Sequence, residues 1–82
     1  MDSNQPQVRV FEAEGCVQCW ATHRALDAAG IAYEVVRVDG RPEVVDELKA
    51  MGFAQLPVVQ AEGMNPFSGF RPDKLDELKA RA

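Results

Sequence analysis

The chain predicts an α/β fold, a four-stranded mixed sheet flanked by three helices in the order β-α-β-α-β-β-α. Three observations predict it. Short β-prone stretches at residues 7–12, 31–38 and 56–60 alternate with segments whose apolar residues recur at helical spacing. A helix separates the first strand from the second, which makes that pair parallel with a right-handed crossover. Only a short turn separates the third strand from a fourth, which makes that pair an antiparallel hairpin.

Each element has its own warrant. Gln7-Val8-Arg9-Val10-Phe11-Glu12 alternates apolar and polar residues up to Phe11 and lies between Pro6 and Gly15, as a strand does. Residues 1–6 are polar and are expected to form a flexible lead. The first helix is expected from Val17 to Ala29, a stretch without Gly or Pro. Ala21, Ala25, Leu26 and Ala28 or Ala29 share one side of it, small enough to lie close on a sheet. Gly30 stands where a left-handed residue ends a helix.

Ile31 to Val38, with Ile31, Tyr33, Val35, Val36 and Val38, is the most β-prone run in the chain. Its near-continuous apolar character suits an interior or parallel-paired strand. Asp39-Gly40-Arg41-Pro42 turns the chain, and Pro42 fits the opening of a second helix. Glu43, Asp46 and Glu47 put negative charge near that helix's positive end, while Val44, Val45, Leu48 and Met51 recur at helical spacing until Gly52. In the third strand, Leu56-Pro57-Val58-Val59-Gln60, Pro57 belongs at the entry because an interior proline costs a ladder bond. Local sequence alone makes it an ordinary trans proline, since only about one X–Pro bond in twenty is cis. After a turn at 61–65 comes a short strand or extended piece. Pro72 then opens the last helix, with Asp73 in its first turn, Leu75, Leu78 and Ala82 on one side, and Lys79 and Arg81 near its end.

Composition narrows the class of protein. The 82 residues make one small domain, and an apolar fraction of 46% can supply its core. A net charge of −4, a pI near 4.8 and the lack of a basic cluster exclude a nucleic-acid-binding surface. The polar start has neither the basic nor the apolar region of a signal peptide, and no run approaches membrane-spanning length. A cytoplasmic monomer is expected, in a compartment where disulfides are usually transient and catalytic.

The chemistry sits in Cys16-Val17-Gln18-Cys19, which holds both cysteines of the chain at the first strand-to-helix junction. Such a C-x-x-C beside a βαβ pattern marks a thioredoxin-like redox motif. A helix N-terminus offers unpaired N–H groups and a positive dipole end, which stabilise a thiolate over a thiol. That placement takes a cysteine pKa from about 8.5 into a range of roughly 3.5 to 7.5. Sulfurs at i and i+3 share a helix face within disulfide reach. Cys16 at the helix tip is then the attacking sulfur and Cys19, one turn inside, the resolving one. Two other readings stand beside this. The pair and His23 could be part of a zinc site, but a tetrahedral shell needs four ligands and the chain has no other Cys or His. The cysteines could also be two inert core residues.

The residues carry a family resemblance as well. Cys16-Val17-Gln18-Cys19, then Ala21-Thr22-x-Arg24-Ala25-Leu26, and the late Ser68-Gly69-Phe70-Arg71-Pro72-Asp73-Lys74 resemble an NrdH-redoxin from about Val8 to Leu78. The resemblance implies a thioredoxin-like, glutaredoxin-sized fold. It implies a disulfide reductase that serves the large subunit of a class Ib ribonucleotide reductase at its C-terminal tail disulfide. Recharging would come from thioredoxin reductase and NADPH, with no bound cofactor or metal besides the redox-active Cys16–Cys19 pair. It makes Cys16 the nucleophile, Cys19 the resolver and Leu56-Pro57 a cis-proline dipeptide that offers backbone to a partner. Val17, Gln18, Ser68, Gly69, Phe70 and Arg71 become the partner-facing motif residues.

Glutathione is disfavoured on chemical grounds. Its two carboxylates want cations and helix N-terminal amides near the active cysteine. Here Glu12-Ala13-Glu14-Gly15 precedes Cys16, with two acids where a cation would help. A glutaredoxin that uses glutathione or another low-molecular-weight thiol is the second reading, and a metal-binding module closed across a dimer the third. Some positions depart from the family pattern. Phe67 stands where Trp is usual and lacks the indole donor. Trp20 is unusual after Cys19, either a partner contact or a partly buried residue. His23 replaces a frequent Lys and is expected on the outer surface. Arg71 is expected to hold the loop before the last helix through backbone carbonyls, with an acidic partner tail as the other reading.

Overall fold

A computed structural model describes residues 7–81. The expected lead at 1–6 and Ala82 lie outside the described residues. The elements run β1 (Val8–Glu12), α1 (Val17–Ala28), β2 (Glu34–Arg37), α2 (Pro42–Ala50), β3 (Val58–Ala61), β4 (Phe67–Ser68) and α3 (Pro72–Arg81). The sheet order is β2-β1-β3-β4. β1 pairs parallel with β2, Val10 opposite Val35, and antiparallel with β3, Val10 opposite Val59. β3 pairs antiparallel with β4, Val58 opposite Ser68.

Alternation along the two interior strands divides the core between the sheet's faces. Val8, Val10, Val59 and Ala61 pack with Leu26 of α1 and with Leu75 and Leu78 of α3. Phe11 and Val58 face the other way, onto Val44 and Leu48 of α2 and onto Val38. Two helices thus cover one face and one covers the other, and β1 ends beneath the start of α1.

Of the two places that suit β2, the structure gives it the parallel-paired one, at the sheet's edge with Val35 41% exposed, and two other expectations change. The parallel partner takes one side of it and solvent the other, while the buried Ile31 and Val38 lie outside the strand. On α1 the buried residues are Cys19, Thr22 and Leu26, and Ala21 and Ala25 are only half-buried. Thr22 is accommodated because its hydroxyl donates to the Gln18 carbonyl at 2.9 Å, one turn earlier. Met51 is exposed at the C-cap of α2, past the turn that faces the sheet.

Candidate active site

β1 leads into Ala13-Glu14-Gly15, and Gly15 at φ +78° gives a backbone turn that a side chain would strain. The turn delivers Cys16 as the N-cap of α1, in extended geometry. Its Sγ accepts a hydrogen bond from the Cys19 N–H at 3.2 Å, so a sulfur does the capping that Ser or Asp does elsewhere. Cys16 and Cys19 form a disulfide with Cα atoms 5.2 Å apart. Cys16 is half-buried and Cys19 only 2% exposed. The outer sulfur is the one a partner can approach.

Two distant segments close on Cys16. Its Sγ stands 3.7 Å from the Leu56 carbonyl oxygen, and the Leu56–Pro57 peptide is cis. The ordinary trans geometry expected from local sequence does not hold here, while the geometry implied by the resemblance does. The Pro57 carbonyl accepts from Gly69 N–H at 2.8 Å, which continues the β3–β4 pairing past Ser68. From the helix side, Gln18 Oε1 accepts from Phe70 N–H at 2.8 Å. Gly69, at φ +81°, leaves room for that side chain, since a Cβ there would lie 3.2 Å from Gln18 Oε1. Gln18, Leu56, Pro57, Gly69 and Phe70 therefore meet around the disulfide. Val17 is 77% exposed and Trp20 60%, and with Phe70 they give this end an apolar surface. Trp20 is thus an exposed residue, with the Arg24 guanidinium 5.0 Å from its ring centre.

Arg71 meets a carboxylate in place of the expected loop carbonyls. It forms a two-pronged pair with Asp73 at 3.1 and 2.9 Å, and its main-chain oxygen accepts from Leu75 N–H. The guanidinium holds the Asp73 carboxyl below its ordinary range. A carboxylate two residues on is a nearer and stronger partner than a loop carbonyl.

His23 is not on the outer surface either. Its Nε2 lies 2.7 Å from Glu12 Oε1, with side-chain exposures of 23% and 13%, in close contact but without the alignment of a hydrogen bond. Its ring stacks on Tyr33 with centroids 5.3 Å apart, and the Tyr33 hydroxyl donates to Asp27 at 3.1 Å. Desolvation, then that bond to Asp27, raise the Tyr33 pKa. Arg37 reaches the other Glu12 oxygen at 3.7 Å and binds Asp39 at 2.9 Å. Asp39 also accepts from Glu14 N–H, and its carboxyl is held below the ordinary range, first by Arg37 and then by that N–H. Sequence reasoning has Glu12 only as an acid unfavourable to glutathione, and misses Arg37 and the contact of Glu12 with His23. A polar residue closing a buried strand, and a histidine one turn after a buried cysteine, were the available signals.

Among the described residues no three His, Cys, Asp or Glu side chains gather as a metal-binding set. No described helix is long and apolar enough to cross a membrane.

A cysteine pair bonded at the tip of the first helix, on a four-stranded mixed sheet with a cis-proline loop beside it, defines a thiol–disulfide oxidoreductase of the thioredoxin-like fold. Comparison with known proteins narrows this. The glutaredoxin family model matches residues 8–64. The glutaredoxin-like protein NrdH of Salmonella typhimurium is 45% identical over 71 residues, 87% of this chain and 86% of that protein. NrdH of Lactococcus lactis is 35% identical, over 87% of this chain and 97% of its own. The structure of Escherichia coli NrdH-redoxin superposes with a TM-score of 0.82 at 43% identity, covering 88% and 93% of the two chains. A glutaredoxin from Archaeoglobus fulgidus gives 0.77 at 26% identity, covering 89% and 85%. The chain belongs to the glutaredoxin family, among its NrdH-redoxins.

Proposed function

We propose that this redoxin carries electrons from thioredoxin reductase, and so from NADPH, to a tail disulfide of a class Ib ribonucleotide reductase in the cytoplasm. The observation that carries the reading is the surface around Cys16. Val17, Trp20 and Phe70 offer apolar contact, the Leu56 carbonyl faces the sulfur, and Glu14 stands before the helix tip. That surface suits a protein segment laid across exposed backbone. It suits a tripeptide with two carboxylates poorly, because the nearby cation, Arg37, is already engaged by Glu12, Glu14 and Asp39. Escherichia coli NrdH-redoxin is described as having a thioredoxin-like activity profile, and we extend that profile to this chain.

The cycle follows from the positions of the two sulfurs. In the reduced protein the Cys16 thiolate, at the positive end of α1, attacks one sulfur of the partner disulfide. A Cys16–partner bond forms, the partner's S–S bond breaks, and its other sulfur leaves with the electron pair. Cys19 then attacks Cys16, the mixed bond breaks, and the partner departs as a dithiol. Two electrons have passed to the partner, and the Cys16–Cys19 bond has re-formed. The test is a coupled assay on the oxidised protein. Purified thioredoxin reductase with NADPH should reduce it, with NADPH consumed in proportion. Reduction by glutathione and its reductase alone would move the reading to a glutathione-dependent glutaredoxin.

A further inference from the structure

Among the partly buried titratable groups that the cycle leaves unused is His23, which lines the same groove as the sulfur with the harder task. Cys19 must act as a nucleophile although it is 2% exposed, and burial disfavours a thiolate. Its proton therefore needs an acceptor at the moment of attack. Cys16 has helix-tip N–H groups and solvent; Cys19 has neither.

A groove of about 440 Å³ runs along this side of α1 and is lined by Glu12, Cys16, Cys19, Trp20, His23 and Arg37, among others. His23 follows Cys19 by four residues, a spacing that puts the two on one helix face with Cβ atoms about 5–6 Å apart. Its Nε2 stands 2.7 Å from Glu12 Oε1, at the edge of the same groove. Charged and titratable groups surround the imidazole from each neighbouring element. Glu12 comes from β1, Glu14 from the turn that follows, and Arg37 from β2, bound to Glu12. Tyr33 stacks on the ring and binds Asp27, and Arg24 of the same helix lies over Trp20.

We propose that His23, oriented by Glu12, accepts the Cys19 proton when Cys19 attacks the mixed disulfide at Cys16. In that step the Cys19 S–H proton passes to the imidazole through the groove, and a Cys19–Cys16 bond forms. The bond between Cys16 and the partner breaks, and the partner's sulfur leaves with the electron pair. The Glu12 carboxylate stabilises the imidazolium until it returns the proton to the leaving sulfur or to water. The role rests on the exchange cycle above and not on which proteins give or receive the electrons.

Stopped-flow reaction of the reduced protein with DTNB separates the two sulfurs. The first release of coloured thiolate reports attack by Cys16, and the second reports attack by Cys19. His23→Gln should leave the first phase unchanged and slow the second about a hundred-fold, the low end of what a placed proton acceptor contributes. In His23→Ala, imidazole added to the buffer should speed the second release alone. Should His23→Gln fold poorly, Glu12→Gln takes its place, with only the second phase slowed. A second phase within about three-fold of the parent's, both phases slowed alike, or no acceleration by imidazole overturns the assignment. DTNB replaces every protein partner here, so this result and that of the reductase assay stand or fall separately.

Discussion

Gly69→Ala tests how the late segment is joined to the active-site helix. Gly69 has φ +81°, and an L residue in that region costs about 1–2 kcal/mol. A second cost is particular to this position. The new Cβ would lie 3.2 Å from Gln18 Oε1, the atom that accepts from Phe70 N–H at 2.8 Å. The Gln18 side chain can swing away, but only by giving up that bond, worth about 0.5–1.5 kcal/mol. Gly52→Ala is the control, since φ is +95° there and nothing lies within 4 Å of the added carbon. Both changes affect the unfolded chain alike, so the difference between them isolates the Gln18 contact. With a urea slope of about 1 kcal/mol/M, Gly69→Ala should unfold about 0.5–1.5 M earlier than Gly52→Ala. In a Gln18→Ala background the excess should vanish, because the atom in the way has gone. Equal midpoints for the two glycine variants, or an excess that survives in that background, would refute the reasoning.

Two further outcomes are expected. Cys19→Ser should accumulate a mixed disulfide between Cys16 and an acceptor protein, visible by mass on a non-reducing gel; multiple turnovers without a trapped species would remove Cys19 from the resolving role. Asp39, whose folded carboxyl lies below its ordinary range because of Arg37 and the Glu14 N–H, gives stability that is fully present above the unfolded Asp value of about 3.9. That stability is lost as pH falls through the depressed folded value, so the gap in melting temperature between parent and Asp39→Asn should narrow only in that acid window. A gap that stays constant through it would contradict the assigned cause.

What the chain discloses about itself depends on the range of each interaction. Alternation at Val8 and Val10, up to Phe11, places β1, and Pro42 and Pro72 open α2 and α3 where a proline can stand. These are local choices. The edge position of β2 is not local, because an apolar run of the same character also suits a strand covered on both sides. Thr22 is buried without penalty only because its hydroxyl turns back to the Gln18 carbonyl, which residue type alone does not announce. The cysteine pair is readable from its spacing, but its neighbours are not. Gln18 and Phe70 are 52 positions apart, and Cys16 and Leu56 are 40 apart. The cis form of Leu56–Pro57 entered through family resemblance, and His23 looked peripheral until β1 brought Glu12 beneath it.

Topology explains why such distant residues serve one sulfur pair. α1 starts just past the end of β1, so the disulfide stands over the end of an interior strand with an open side to left and right. On the β3 side the antiparallel neighbours supply backbone. The Leu56 carbonyl, the Gly69 bond to Pro57 and the Phe70 amide held by Gln18 line the approach to Cys16 with groups that do not titrate. On the β2 side the parallel neighbour supplies charge, with Arg37 of β2 and His23 of α1 both reaching Glu12 at the end of β1. A surface that binds a partner segment gains from rigidity and from indifference to pH, and main-chain groups provide both. A surface that moves a proton needs a group able to change charge, shielded from competing ligands. Cys16 meets the backbone of the β3 side, the charged groove on the β2 side reaches both Cys16 and Cys19, and one turn of helix is all that separates the sulfurs.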